Sequence, residues 1–397
     1  MNIIKRDILS VISSNLDKEE AILVIGPRQV GKTTMLHQIE KEVKKHNDSY
    51  FLNLEDPEYL SLLNKSPKNL FDIFPINLNK KTYVFIDEVQ YLENPSNFIK
   101  YIVDEYKGRI KLIVSGSSSF YLDKKFKDSL VGRKILLTML PLSFKEFFFF
   151  KNKEEINNSL SSKEKIRHSY LEYLIFGGYP KVILAETREE KIEVLRDLAY
   201  SYIKKDIFES GIKQDEVFYK LLKILSSQIG ELVNNSELAN TLDVSKTSIN
   251  DYISIMQKSF HLILISPFFK NIRKETTKMP KVYFLDNGLR NFFVNNFKSY
   301  IEREDNGQLL ENGFLRELLN KYNRDEIRFW RTADNKEIDF VVNDELAIEV
   351  KSQTKNIKKD SVRLFLENYP EINFKIGSLQ DIESAENFPV IKPWEIK

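Results

Sequence analysis

Short apolar runs alternate with stretches of helical period through the first 150 residues. Residues 21–25 (AILVI), 50–54 (YFLNL), 83–86 (YVFI) and the start of 111–119 (KLIVSGSSS) read as strands, and a helical pattern opens near Lys32. That alternation predicts a parallel sheet covered by helices, an α/β core over residues 1–150. Residues 151–230 turn mainly helical after a charged, Asn- and Ser-rich linker at 151–165, with a break at Gly177-Gly178 and Pro180. Residues 236–260 read as helix, tight turn, helix. Ser236 and Ser245 stand as caps, and Ile249, Tyr252, Ile253 and Met256 lie inward at helical spacing. Two strand-like runs follow, at 261–265 and 281–286, and no tandem repeat appears at solenoid periods.

The pattern becomes chemistry at Gly26-Pro27-Arg28-Gln29-Val30-Gly31-Lys32-Thr33-Thr34. This is a complete G-x-x-x-x-G-K-[ST] loop between a strand and a helix N-terminus. Gly26 and Gly31 let the backbone curl so that successive N–H groups face an anion. Lys32 reaches the β- and γ-phosphates, and the Thr33 hydroxyl ligates Mg²⁺. The strand at 83–86 ends in Asp87-Glu88. Asp87 is expected to hold the metal through its water shell and Glu88 to polarise the attacking water. Ser117, at the end of the third strand, is the expected sensor of the γ-phosphate or the water; a Ser-rich turn is the competing reading. Arg133, on a polar loop past that strand, either stabilises phosphate charge in its own or a neighbour's subunit or makes a structural salt bridge.

The first half therefore resembles an ATPase of the AAA+ superfamily, in the branch whose acid pair runs on into Val89-Gln90. The segments Leu130-Val-Gly-Arg133, Pro141-Leu-Ser-Phe-Lys-Glu-Phe147 and Phe176-Gly-Gly-Tyr-Pro180 resemble those that follow the ATPase core in a large prokaryotic family. Members carry a C-terminal domain of unknown function with a winged helix and a nuclease-like fold. The likeness covers about residues 1–355. It implies ATP and Mg²⁺ as cofactors and assembly into a homo-oligomer, because a neighbour's arginine often completes such sites.

The resemblance and the pattern together give four expected regions: an ATPase core at 1–150, a helical lid or linker at 151–230, a winged helix at 231–295, and a restriction-endonuclease-like α/β domain at 296–397. In the helix-turn-helix, Lys246, Thr247, Ser248 and Asn250 occupy the first turn of the second helix, where a recognition helix meets the major groove of DNA. Residues 337–351 (EIDFVVNDELAIEVK) form a hairpin centred on Asp344 in the register that segregates its faces. Ile338, Phe340 and Val342 then oppose Val350, Ile348 and Leu346. Asp339 opposes Glu349, two like charges that a Mg²⁺ ion would reconcile. Asp339, Glu349 and Lys351 match the D…ExK signature of the restriction-endonuclease-like fold, and Glu311 matches its additional acid. By that resemblance the two acids hold metal and Lys351 orients the water; the bland reading is a solvated face. A module that cuts DNA and one that only binds, under control of the ATPase, are the two outcomes.

Composition narrows the classes. Forty-two per cent hydrophobic and 30% charged residues describe a globular chain, and no run approaches the ~18 apolar residues of a membrane span. With no cysteine and four scattered histidines, disulfides, thiol chemistry and Cys–His zinc sites are excluded. The first 14 residues lack a secretory h-region, so a cytoplasmic protein is expected. A net charge of +2 leaves any basic surface local.

Overall fold

A computed structural model describes residues 4, 6–116, 130–157, 160–212, 214–268, 278–353, 359–380 and 388–396. The chain divides into two compact units, Met1–Pro141 with Lys258–Phe260, and Leu142–Gln257 with His261–Lys397. The stretches expected as lid and nuclease-like domain fall in the second, and so does the expected winged helix apart from Lys258–Phe260.

The first unit is the expected α/β core. Strands β1 (Ala21–Ile25), β2 (Asp48–Asn53), β3 (Thr82–Asp87), β4 (Ile110–Gly116) and β5 (Lys134–Thr138) form one sheet in the order β2-β3-β4-β1-β5. Every pairing is parallel. Every residue of β1, β3 and β4 is buried, as interior strands covered on both faces must be, whereas β2 and β5 at the edges are half exposed. On one face Leu23, Val84, Ile86, Leu112 and Val114 pack with Phe98, Ile99 and Ile102 of the helix Pro95–Glu105. Asn94 caps that helix by accepting from the Asn97 N–H. Because β4 lies between β1 and β3, its end stands between the phosphate loop and the acid pair.

The second unit opens on the helix Phe144–Asn152, started by a capping box in which Ser143 and Glu146 satisfy each other's backbone N–H groups. The Gly177-Gly178 break has a packing cause. The Gly178 N–H donates to Asp286 Oδ2 at 2.7 Å, and a Cβ at Gly177 would stand 2.2 Å from that carboxylate. The expected helix pair is present as Asn235–Leu242 and Lys246–Lys258, followed by antiparallel strands β6 (Leu262–Ile265) and β7 (Lys281–Phe284). Ser245 caps the second helix through the Ser248 N–H, but Asn234, not Ser236, caps the first. The asparagine sits one residue before the helix and so accepts from both the Ser236 and Glu237 N–H groups.

The C-terminal sheet runs β12-β11-β10-β9-β8, built from β8 (Ile327–Arg331), β9 (Glu337–Val342), β10 (Leu346–Val350), β11 (Asn373–Gly377) and β12 (Val390–Ile391). The β9–β10 hairpin has the expected register, Val342↔Leu346 through Phe340↔Ile348. Asn343 and Asp344 both take positive φ, and the Glu345 N–H closes the turn on the Val342 carbonyl. The ladder then stops. A register shift between β8 and β9 falls at this point, and Ile338 joins Val341 and Ala347 in the core beneath the helix Lys359–Asn368. The regular alternation expected through Asp339 is therefore broken by a bulge, which re-aims that side chain. Trp330 packs edge-on against Phe365 in the same core.

Candidate functional site

The phosphate loop has the backbone its glycines permit. Gly26 has φ +156° and lies so close to the chain that a Cβ would meet the Met139 carbonyl at 2.0 Å; Gly31 has φ +96°. Val30 is fully buried, and Arg6 fastens the loop from outside, donating from Nη1 to the Val30 carbonyl at 2.9 Å and from Nη2 to Leu140 at 2.6 Å. Nothing in the sequence reading pointed to Arg6. Its partners lie 24 and 134 residues away, and an arginine near a terminus carries no motif.

Lys32 is buried, and its ammonium donates to the Gly26 and Pro27 carbonyls at 2.9 and 2.8 Å. Burial depresses it to about 8, against the pull of Glu88 and Asp87 and with some repulsion from Arg28. The lysine thus has neutral partners where a phosphate would supply charge. The Thr33 hydroxyl donates to Asp87 Oδ2 at 2.6 Å, although the two are 54 residues apart. Two hard oxygen ligands converge on one point beside the loop, and this donor set fits Mg²⁺. Thr34 is exposed in the first turn of the helix.

Glu88 follows Asp87 with φ +57°, a conformation uncommon outside glycine, and its carboxylate accepts from Gln90 Nε2. Ser117 lies outside the described residues. Two positions earlier, fully buried Ser115 donates to Asp87 Oδ1 and accepts from the Glu88 N–H at 3.2 Å. Ser115 therefore ties the acid pair to β4. The run of serines in the sequence hid which of them the register points at the acids. Arg133 is not brought to the loop. Its carbonyl pairs with the Ala21 N–H at the start of β1, roughly 16 Å of strand from Gly26, and its Nε meets Asp104 at 2.6 Å on the surface.

In the second unit the structure does gather Glu311, Asp339, Glu349 and Lys351, and it adds Lys281 from β7, which the sequence reading missed. Lys281 Nζ lies 2.5 Å from Glu337 Oε1, 3.3 Å from Glu311 Oε1 and 3.8 Å from Asp339 Oδ1, with 2% of its side chain exposed. Tyr283, two residues on, donates to Glu311 at 2.5 Å. Arg331 pairs with the other oxygen of Glu337 at 2.7 Å, and Lys351 pairs with Glu349 Oε1 at 2.6 Å. The re-aimed Asp339 accepts from the Val350 N–H at 2.7 Å. Burial alone would depress Lys281, but Glu311, Asp339 and Glu337 hold it above its ordinary value. Burial and the Asp339 charge raise Glu311 to about 7 and Glu349 to about 8. As it stands this arrangement does not fit a Mg²⁺ ion, because an ammonium already faces three of the carboxylates. Among the described residues no group of three His, Asp or Glu side chains is placed to hold a metal.

In the helix-turn-helix Lys246, Thr247 and Asn250 are exposed, and Asn250 accepts from Asn235 at 2.6 Å. Among the described residues no helix is long and apolar enough to cross a membrane.

Comparison with known proteins bears on the domains of the chain. Residues 18–148 match the family model of the AAA domain. Residues 167–300 and 306–390 match two domains of unknown function, DUF8612 and DUF4143. An uncharacterized protein of Methanocaldococcus jannaschii is 27% identical over 423 aligned positions, spanning 99% of this chain and 91% of the relative. One from Haemophilus influenzae is 26% identical, spanning 80% of this chain and 78% of its own. Among solved structures, replication initiator DnaA bound to AMPPCP and single-stranded DNA aligns with 64% of this chain and 90% of that one, at 17% identity and a TM-score of 0.31. C. elegans PCH-2 aligns with 50% of this chain and 64% of that one, at 14% identity and a TM-score of 0.33. Both scores are too low to bear on function. The matched model and the loop geometry together support a P-loop ATPase domain of AAA type in the first unit.

Proposed function

We propose that this protein hydrolyses Mg·ATP at the phosphate loop and uses nucleotide state to control a C-terminal module that binds its partner and does not cut it. The hydrogen bond between Thr33 and Asp87 carries the first half, because it brings the metal-holding hydroxyl and carboxylate together beside a buried, under-neutralised Lys32. Thr33 and Asp87 would hold Mg²⁺, which when bound would neutralise phosphate charge. Lys32 exchanges carbonyl partners for phosphate oxygens. The N–H groups at the start of the helix Lys32–Val43 face the same anion. Glu88 orients and polarises the attacking water, and Ser115 holds both acids in place. In phosphate-release assays Glu88→Gln should stop turnover while retaining ATP; release unchanged from the wild type would remove the assignment.

The second half rests on Lys281 inside the carboxylate cluster, which favours a binding module over a nuclease. The exposed first turn of the second helix, after which β6 and β7 follow as a wing, supports a winged helix that contacts DNA. ATPase rate with and without duplex DNA tests that contact, and a rate indifferent to every DNA form would argue against it. An arginine as far from its own loop as Arg133 serves nucleotide only across a subunit contact. Sedimentation with a non-hydrolysable ATP analogue reads whether that contact forms.

A further inference from the structure

We infer that the carboxylate cluster around Asp339 is closed by its own cation: Lys281 is a permanent counterion that clamps β7 onto the C-terminal sheet, so the cluster takes no divalent ion. This extends the reading of the second unit as a binding module, and its test uses no ATPase readout.

Three observations carry it. First, the charges balance without a metal. Glu311, Glu337, Asp339 and Glu349 face Lys281, Lys351 and Arg331, a net charge of −1 with every group ionised, and burial, which raises Glu311 to about 7 and Glu349 to about 8, favours the one retained proton that completes neutrality. Second, the lysine is built in. Its stem is covered until only 2% of the side chain is exposed, its ammonium lies 5.4 Å from the Phe329 ring centroid, and Tyr283 on the same strand packs on Phe340 at 5.7 Å. A lysine so placed cannot swing to solvent without drawing β7 off the sheet. Third, Asp339 spends one oxygen on the Val350 N–H, which fixes its orientation within the protein. Glu349 Oε2 is a buried oxygen with no hydrogen-bond partner among the described residues. An ion held there would lie beside Lys351, which already pairs with the other oxygen of Glu349.

The clamp makes a testable pair of statements about the full chain, with Mn²⁺ as the probe. Titrated without nucleotide and followed by the electron paramagnetic resonance signal of free Mn²⁺, the wild type should bind the same amount as an Asp339→Asn, Glu349→Gln variant. Mn²⁺ binding that disappears in that variant would overturn the inference. Lys281→Met should lower Tm by on the order of 10 °C and gain Mn²⁺ affinity, with added Mn²⁺ restoring part of the lost Tm. A Lys281→Met protein as stable as the wild type would also overturn it. Should that variant fail to fold, Lys281→Met with Glu337→Gln removes one charge of each sign and should recover a folded, cooperative protein. If the double variant fails as well, the wild-type Mn²⁺ comparison alone decides.

Discussion

Each unit of this protein buries a lysine near carboxylates, and the two lysines are in opposite states. Lys32 rests on two backbone carbonyls and is driven down to about 8 by its burial. Lys281 is at least as deeply buried but faces Glu311, Glu337 and Asp339, which hold it firmly protonated. Burial is common to both, so burial is not what makes a lysine functional. The difference is the partner. A buried ammonium hydrogen-bonded only to carbonyls, with carboxylates too weakly coupled to offset its burial, gains from any anion that arrives, whereas one in direct ion pairs with carboxylates gains little. The Lys32 ammonium has no direct carboxylate partner among its hydrogen bonds; the Lys281 ammonium has three carboxylates beside it.

The largest expected effect would break the comparison on its active side. Glu88→Gln should lower the rate of phosphate release by about 10²–10⁴-fold, the range for losing a positioned general base, with ATP affinity unchanged. Next, removing each lysine should give opposite phenotypes. Lys281→Met should cost about 3–5 kcal/mol in denaturant unfolding by stranding buried carboxylates, yet spare ATP binding. Lys32→Ala should weaken ATP binding about 10- to 100-fold, the worth of a charge-assisted hydrogen bond, while removing a desolvation cost from the free protein. Equal stability losses in both variants would erase the distinction. Ser115→Ala should reduce kcat/KM about tenfold, since Asp87 loses a donor and the Glu88 N–H its acceptor. The smallest effect belongs to Arg133→Ala, which breaks a surface ion pair with Asp104 and should leave Tm unchanged. A fall in its turnover that depends on protein concentration would instead assign it to a neighbour's site.

What the sequence made legible follows the same division. The phosphate loop is a contiguous motif whose chemistry needs its residues in order, so Gly26 to Thr34 and the Asp87-Glu88 pair could be read directly. The hairpin register was legible too, because one apolar face selects it as far as Phe340↔Ile348. Beyond that point the bulge was invisible, since it depends on how β8 meets β9 and not on the alternation within either. Lys281 was missed because its partners come from 30 to 58 residues further along, and a lysine opening a strand reads as solvated. One signal was available: Lys281 and Tyr283 share a face of a strand that is buried throughout, and two polar tips on such a face need partners. Ser115 was masked by its neighbours at 117–119, and only the register of β4 against β3 singles it out.

The most direct test of an under-neutralised Lys32 is the proton count of nucleotide binding. Between about 8 and 10.5 the folded, nucleotide-free protein holds fewer protons on Lys32 than the unfolded chain, so its stability should rise with pH across that window. Phosphate restores the charged form, so ATP affinity should fall above pH 8. Calorimetry at pH 8 in two buffers of different ionisation enthalpy should therefore show uptake of about half a proton per ATP. Lys32→Arg, which keeps the charge at every pH, should bind with no such uptake. Wild-type binding with no proton exchanged, or with the same uptake in Lys32→Arg, would contradict a lysine held ready for phosphate.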